Sequence, residues 1–297
     1  MLDLKKKYLK LLVKQEVVGQ KFSNKLSQLN DFYLPICDKL FNDFKTLRRT
    51  FIIGLSGGQG SGKSTIAQIL KLIIENRFQL NVVCFSIDDF YKTLPEREKL
   101  SKTIHPLFRT RGVPGTHDCR LILTVIKNLT KKKFKVVNIP KFNKSIDNRS
   151  EKKNWQKIKK KPDIIIFEGW CVGAKCQSNR ELKRPINILE KLEDSKLTWR
   201  KKVNNELKTN YKKIYNLIDK KIYLKIPSFK YVLKWRFLQE KKLKFSAKNK
   251  KNIMNKKKIK KFIMFYERIT KKMIKDYKTN DIVVFLDKKH KIRSIKV

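Results

Sequence analysis

The stretch GLSGGQGSGKST, residues 54–65, decides the fold because it contains the phosphate-binding pattern G-x-x-x-x-G-K-[ST]. The pattern and the residue after it comprise Gly57, Gly58, Gln59, Gly60, Ser61, Gly62, Lys63, Ser64 and Thr65. Glycine lets successive backbone N–H groups point inward around a phosphate chain, and the helix that follows adds its positive end. We expect Lys63 to reach the β- and γ-phosphates and Ser64 to bind Mg²⁺. A ligand-free glycine turn would not need a lysine and a hydroxyl in this register, so the sequence predicts nucleotide binding.

Short apolar runs separated by longer helical patterns follow this loop along the chain. The runs are FIIGL (51–55), NVVCFSI (81–87), FKVVNIP (134–140), DIIIFE (163–168), KKIYLKI (220–226) and DIVVFL (281–286). Runs that are apolar on both faces and alternate with helices are typical of a buried, mostly parallel sheet. The sequence therefore predicts an α/β fold of the P-loop NTPase type, with helices on both faces of the sheet.

Two segments stand apart from this pattern. Residues 1–47 read as amphipathic helix, with Tyr8 and Leu12 on one face, and we expect an N-terminal helical extension to a main domain of residues 48–297. The polar, lysine-dense stretch from Lys242 lies between two helical patterns and reads either as a mobile lid or as a solvated helix face. We place a helical lid at about residues 230–262.

The formal net charge of +48 raises the question of a nucleic-acid or acidic-membrane partner. The lysines are spread along the whole chain and form no single stripe, so we expect no specific nucleic acid and no membrane partner. Five cysteines without a CxxC pair favour reduced thiols in a cytosol-like compartment. No segment approaches the roughly 20 apolar residues of a membrane span. The expected location is cytoplasmic.

Carboxylates follow two of the predicted strands. Asp88 and Asp89 come after NVVCFSI, at the carboxyl edge of the sheet where open α/β folds bind their ligands. A kinase that acts on a small hydroxyl needs a carboxylate there to hold Mg²⁺ and to accept the hydroxyl proton, and strand geometry favours Asp88. The alternative is a solvated helix cap. Glu168 ends the apolar run DIIIFE. In many nucleotide-binding proteins the acid beside Mg²⁺ likewise stands at the end of an apolar strand.

At this point the sequence resembles the D-glycerate 3-kinases, P-loop kinases related to uridine kinase, phosphoribulokinase and pantothenate kinase. The resemblance covers residues 48–297 and rests on the glycine loop and five further segments: SIDDFY (86–91), HPLFRTRGVPGTHD (105–118), IPKFNKSIDNR (139–149), FEGWCVG (167–173) and PINILEKLEDSKLTWRKKVNNEL (185–207). It implies ATP and Mg²⁺ as cofactors and D-glycerate as the small-molecule substrate. It also implies Asp88 as general base, with Lys63 as a catalytic residue, and Glu168 as a magnesium partner. In cells with photorespiration it would imply the salvage of glycolate carbon.

The resemblance implies further substrate contacts. Arg109 or Arg111 is expected to grip the glycerate carboxylate as a two-pronged fork. His117 and Asp118 are expected to bind the hydroxyls; the alternative is that they only fix a turn and start a helix.

Three more cations are candidates by resemblance. Lys141 and Arg149 are candidates for substrate or phosphate contact, although Asn148 replaces the acidic residue expected before that arginine. Arg236 could approach the phosphoryl group when the lid closes; the alternative is a solvated or salt-bridged side chain.

Two other functions remain open at this stage. The first is a kinase for uridine, pantothenate or another hydroxyl compound with the same loop. The second is a nucleic-acid-binding ATPase, which the charge alone suggests and which needs a basic groove with interleaved aromatic residues. The aromatic residues here lie mostly in core-like stripes, which disfavours the second function.

Overall fold

The computed structural model describes residues 1–16, 22–246, 255–279 and 281–297. The strands within these ranges are β1 (Phe51–Gly57), β2 (Val82–Ser86), β3 (Val137–Ile139), β4 (Phe142–Asn143), β5 (Asn148–Arg149), β6 (Gln156–Ile158), β7 (Ile164–Gly169), β8 (Lys220–Lys225), β9 (Ile282–Leu286) and β10 (Ile292–Lys296). The helices within them are α1 (Leu2–Gln15), α2 (Lys25–Gln28), α3 (Leu34–Lys45), α4 (Lys63–Phe78), α5 (Leu94–Thr103), α6 (Cys119–Thr130), α7 (Asn179–Lys183), α8 (Ile188–Glu193), α9 (Thr198–Glu206), α10 (Lys212–Tyr215), α11 (Lys230–Ser246) and α12 (Lys256–Lys275).

The central sheet has the strand order β10-β9-β8-β1-β7-β2. Every pairing in it is parallel except that of the edge strand β10 with β9. The predicted α/β fold with a mostly parallel sheet is confirmed. Five of the six predicted apolar runs supply its parallel strands.

The sixth run, FKVVNIP, was wrongly placed in this sheet. Its residues 137–139 form β3, which pairs antiparallel with β6 in a separate two-stranded ladder. Val137 and Ile139 are buried there, whereas Asn138 between them is exposed. A strand with only one buried face does not meet the requirement of a central parallel strand, which is covered on both sides.

Each face of the sheet belongs to its own hydrophobic core. Along β7, Ile164 and Ile166 join the core that contains α1, α3 and α4, while Ile165 and Phe167 join the core that contains α6 and α9. The alternation follows from the two-residue period of a strand. Because helices cover both faces, all six residues of β7 are buried, and the strand ends are left as the place where a ligand can approach.

The N-terminal segment is helical in its described parts. Helices α1 and α3 both pack against α4, and Tyr8 and Leu12 are buried in that contact. The Gln28 side chain makes two hydrogen bonds to the backbone of Ile292, at 3.0 Å each, and so occupies polar groups of the edge strand β10. The segment therefore covers one face and one edge of the sheet. Among the described helices, none has the length and apolar content that crossing a bilayer requires.

The predicted lid region, about residues 230–262, contains α11 and the start of α12. It also contains residues 247–254, which lie outside the described residues. The described part of α11 packs closely on the glycine loop, because a side chain on Gly60 would meet the Cβ of Trp235 at 2.7 Å. Trp235 is buried and stacks on His290 with ring centroids 3.9 Å apart. Helix α11 thus lies over the loop that the sequence assigns to phosphate binding.

The segment PINILEKLEDSKLTWRKKVNNEL forms a buried ionic cluster. Glu190 is fully buried and accepts hydrogen bonds from Arg268 on α12 at 2.6 and 2.7 Å and from Arg200 at 3.4 Å. Asp194 accepts from the Nε of Arg200 at 2.7 Å. The cluster ties α8, α9 and α12 together beneath one face of the sheet. This segment carried much of the family resemblance, and these charged residues make internal contacts.

We predict that Glu190→Gln lowers the free energy of unfolding by about 3 kcal/mol or more, because it leaves two buried guanidinium groups with one carboxylate. Glu193→Gln on the same helix is the control: Glu193 pairs with Lys261 at the surface, and an exposed pair contributes at most about 1 kcal/mol. Urea unfolding of both variants is the measurement. Equal effects of the two substitutions would contradict the structural role of the cluster.

Candidate active site

The candidate site lies where the carboxyl ends of β1, β7 and β2 meet. Strand β7 lies between the other two, and its residue Glu168 is in register with Leu55 of β1 and Ser86 of β2. The glycine loop follows β1 and the Asp88–Asp89 pair follows β2. Parallel pairing therefore brings the three predicted elements of the nucleotide site to one edge of the sheet.

The glycine loop leads directly into α4. Gly60 and Gly62 have φ angles of +77° and +85°, which glycine adopts without steric cost, and Gly62 is the residue before the helix. The first turn of α4 starts at Lys63, whose Nζ donates to the carbonyl of Gly58 at 3.2 Å. The first N–H groups of α4 have no carbonyl partner within the helix and no side-chain cap, so the start of α4 beside the loop offers donors to an anion.

Ser64 and Glu168 contact each other directly. The Ser64 hydroxyl donates to the Glu168 carboxylate at 2.8 Å, joining the first turn of α4 to the end of β7. Burial raises the pKa of Glu168, while the Lys63 ammonium opposes that shift. Burial likewise lowers the pKa of Lys63, with Glu168 and Asp88 opposing. The site therefore contains charged groups whose burial becomes favourable when a counter-charge binds.

Asp88 and Asp89 lie in a short 3₁₀ helix, Ile87–Phe90, rather than on the strand, so the strand-alternation argument for their orientation was wrong. Their side chains nevertheless point to different partners. Asp88 accepts from the Tyr91 hydroxyl at 2.8 Å and pairs with Lys144 at 3.0 Å. Asp89 accepts from the backbone N–H of Phe142 and pairs with Lys141, both at 3.3 Å. Asp88 lies two residues after Ser86, the last residue of β2, which is in register with Glu168, so it lies at the edge of the sheet where the glycine loop follows β1.

The ionisation of Asp88 depends on Lys144. Burial raises the pKa of this carboxyl, but the Lys144 charge, the His117 charge and the hydrogen bonds from Lys144 and Tyr91 together lower it by more, so the net pKa is well below the ordinary range. Sequence reasoning selected Lys141 from the segment IPKFNKSIDNR and missed Lys144. Both lysines pair with a carboxylate, Lys141 with Asp89 and Lys144 with Asp88. Nothing in the local pattern distinguishes the two.

His117 lies buried beside Asp88 with a defined hydrogen-bonding state. Its ring stacks on Tyr91, with centroids 4.5 Å apart, and its Nδ1 lies 2.5 Å from the Tyr211 hydroxyl. The Tyr211 oxygen also accepts from the N–H of Gly115 at 3.1 Å, and we assign the neutral tautomer in which the Tyr211 O–H donates to Nδ1. The His117 proton then lies on Nε2, a buried atom with no hydrogen-bond partner among the described residues. Burial lowers the pKa of His117 to about 3, so the ring is a neutral donor near pH 7.

The region around Asp147 contains three arginines: Arg97, Arg109 and Arg111. Arg97, which is fully buried, donates to the carbonyls of Lys92, Arg109 and Asp147 and pairs with the Asp147 carboxylate at 3.1 Å. Arg111 pairs with the same carboxylate, and its charge lowers the pKa of Tyr91, opposing the larger effect of burial. The Arg109 side chain is exposed and pairs with Glu98 at 3.2 Å. The structure therefore brings Arg111 toward the site and turns Arg109 away from it; Arg97 was missed.

The remaining predicted residues make internal contacts. Asp118 caps α6 by accepting from the N–H of Leu121 at 3.0 Å, and it pairs with Arg149 at 3.3 Å. Arg149 also donates to the carbonyl of Tyr91 at 3.1 Å. Arg236 on α11 pairs with Glu240 and lies 5.5 Å from the ring of Phe262. These contacts hold the walls of the site in place.

The donor set fits a nucleotide with Mg²⁺. The loop and the start of α4 supply N–H groups for phosphates, and Ser64, Asp88 and Glu168 supply the oxygen ligands that Mg²⁺ prefers. Within the described ranges, no group of three or more His, Cys, Asp and Glu side chains forms a metal cage. Mg²⁺ needs none, because it is commonly held through one or two protein groups, substrate phosphates and water.

Comparisons with known proteins agree with this geometry. The model of the phosphoribulokinase / uridine kinase family matches residues 52–182. An uncharacterised kinase of Schizosaccharomyces pombe, mug58, is 36% identical over 204 residues, which cover 66% of this chain and 72% of that protein. The chloroplastic D-glycerate 3-kinase of Arabidopsis thaliana is 29% identical over 198 residues, which cover 64% of this chain and 41% of that protein.

A solved structure has the same fold. The D-glycerate 3-kinase from Cryptococcus neoformans superposes with a TM-score of 0.76 and 21% sequence identity, over 89% of this chain and 98% of that one. At this identity the superposition shows a common fold, and it carries no information on the acceptor.

The buried neutral His117 predicts a pH dependence of stability. Its folded pKa of about 3 lies below the unfolded value near 6.5, so the unfolded state binds more protons between these values. The stability that this residue contributes is present above pH 6.5 and is lost as the pH falls toward 3. Between about pH 7 and pH 5 we expect the Tm of the wild type to fall more steeply than that of His117→Gln. Parallel Tm curves would contradict a neutral buried ring.

Proposed function

The chain belongs to the phosphoribulokinase / uridine kinase family, and we propose that it is a D-glycerate 3-kinase, which transfers the γ-phosphoryl group of ATP to the 3-hydroxyl of D-glycerate. The transfer of a phosphoryl group from ATP to an alcohol follows from the family. The choice of acceptor is the proposal. It rests on the similarity to the Arabidopsis D-glycerate 3-kinase and on one observation: the carboxylate of Asp88, at the edge of the sheet where the glycine loop lies, is paired with Lys144 at 3.0 Å.

On the nucleotide side, the backbone N–H groups of residues 57–65 bind the phosphate chain and Lys63 contacts the phosphates at the reacting end. Lys63 contributes most in the transition state, because positive charge at that position stabilises the transferring group. Ser64, Asp88 and Glu168 are the residues that would hold Mg²⁺, which neutralises phosphate charge when it is bound. Arg236, on the helix over the loop, is the candidate for a further phosphate contact.

On the acceptor side, Asp88 orients the 3-hydroxyl and takes its proton. The hydroxyl oxygen forms a bond to the γ-phosphorus, the bond from that phosphorus to the bridging oxygen breaks, ADP leaves with the electron pair, and the proton goes to Asp88. A carboxylate with a low pKa is a weak base, and it is sufficient here because phosphoryl transfer has a loose transition state in which positioning and charge dominate. The Nε2–H of His117 is the candidate donor to the 2-hydroxyl.

An acceptor panel tests the proposal. Purified protein with ATP and Mg²⁺ is assayed with D-glycerate, L-glycerate, uridine and pantothenate, and the product is located by ³¹P NMR. We expect kcat/KM for D-glycerate to exceed the others by about 100-fold or more, with the phosphoryl group on the 3-hydroxyl. Preferred transfer to uridine or pantothenate would replace the proposal with the corresponding kinase, and hydrolysis stimulated only by RNA or DNA would replace it with an ATPase. Residence in the cytoplasm and a link to photorespiration remain predictions.

Asp88→Asn keeps the size of the side chain and removes its charge. We expect kcat to fall by about 10²–10⁴-fold, the usual loss for a general base, while nucleotide affinity changes little because the loop backbone supplies most of those contacts. Asp89→Asn is the matched control: Asp89 contacts Lys141 and the Phe142 N–H, so kcat should fall much less. Steady-state kinetics and nucleotide titration measure both effects. If Asp89→Asn lost most of its kcat while Asp88→Asn kept the wild-type kcat, the role of the base would pass to Asp89.

A further inference from the structure

Lys144 is the cation that directly contacts the candidate base. Its Nζ lies 3.0 Å from the Asp88 carboxylate, and its charge also lowers the pKa of Lys63, in the direction in which burial acts. The side chain is 61% exposed, so the ammonium reaches the site from the solvent side. It lies in the connection between β4 and β5, residues 144–147, where no helix or strand restrains the backbone.

The other predicted carboxylate ligands are less available. Arg109 pairs with Glu98 at the surface, and the structure gives its side chain no contact with Asp88 within the described ranges. Arg111 is held by Asp147, which also pairs with the buried Arg97. Arg111 is also less solvated than Lys144, with 24% of its side chain exposed against 61%. The ion pair of Lys144 is partly solvated and costs little to exchange.

The chemistry of the proposed acceptor places a second carboxylate at this point. In glycerate only one carbon separates the carboxylate from the carbon that bears the reacting hydroxyl. When that hydroxyl contacts Asp88, the glycerate carboxylate must lie close to Asp88 as well. Two carboxylates held this close together repel each other unless a cation lies between them. The cation already there is Lys144.

We propose that Lys144 exchanges its partner, from Asp88 in the unliganded protein to the acceptor's carboxylate in the complex, and thereby selects hydroxy acids over neutral alcohols. This inference rests on the proposed function, since it assumes an acceptor that carries a carboxylate near the hydroxyl.

The test compares D-glycerate with its neutral amide, D-glyceramide, in the wild type, Lys144→Met, Lys144→Arg and Lys153→Met. We expect Lys144→Met to lower kcat/KM for D-glycerate by about 10- to 100-fold, as for the loss of one charged hydrogen bond, and to change kcat/KM for D-glyceramide by less than about threefold. Lys144→Arg should restore most of the D-glycerate activity. Lys153, an exposed lysine of the same region that pairs with Glu151 at 2.7 Å, is the matched control and should behave as wild type.

Equal losses for the acid and the amide, or an unchanged D-glycerate activity, would overturn the role of Lys144 and leave the proposed function standing. A wild-type protein that phosphorylates none of the hydroxy acids would overturn both.

Discussion

The parallel pairing of β7 between β1 and β2 is the constraint on which the site depends. It sets Glu168 level with Ser86, the last residue of β2, and with Leu55 of β1, and the hydroxyl of Ser64 on α4 reaches it at 2.8 Å. The same pairing aligns the end of β2 with the glycine loop and brings Asp88 within electrostatic range of Lys63. Because helices bury both faces of the sheet, its carboxyl edge is where these polar groups can meet a ligand.

Opposite charges are arranged pairwise at this edge of a chain with net charge +48. Asp88 faces Lys144, Asp89 faces Lys141, and Asp147 holds Arg97 and Arg111. These carboxylates pair with cations at the site, and others, such as Asp43 and Asp219, pair with cations elsewhere in the chain. Coulomb energy between exposed charges is small, whereas the same pairs gain strength where a bound ligand excludes water. Net charge alone is thus a poor guide to the partner of this protein.

The sequence predicted the sheet because continuous apolar runs have few other uses, and it placed the glycine loop at the junction of β1 and α4 because the motif itself requires that junction. The prediction that FKVVNIP supplies a strand of the central sheet was wrong because the exposed Asn138 interrupts the run, which leaves the strand with one buried face. Contacts between distant residues could not be predicted. Lys144 and Asp88 are 56 residues apart, and Arg97 binds carbonyls as far away as Asp147. Such pairs depend on where the loops bring their residues at the edge of the sheet, and the local hydrophobic periodicity of the sequence does not determine that.

The cations of the site differ in how firmly the fold holds them. Lys144 is 61% exposed, and the partial solvation of its pair with Asp88 makes that pair easy to exchange, so this lysine can change its partner when an acceptor binds. The buried Arg97 could not serve this purpose, since its three carbonyl contacts and its carboxylate fix it in the wall. The division between a fixed arginine and a solvated lysine therefore separates the scaffold of the site from the part that responds to the acceptor.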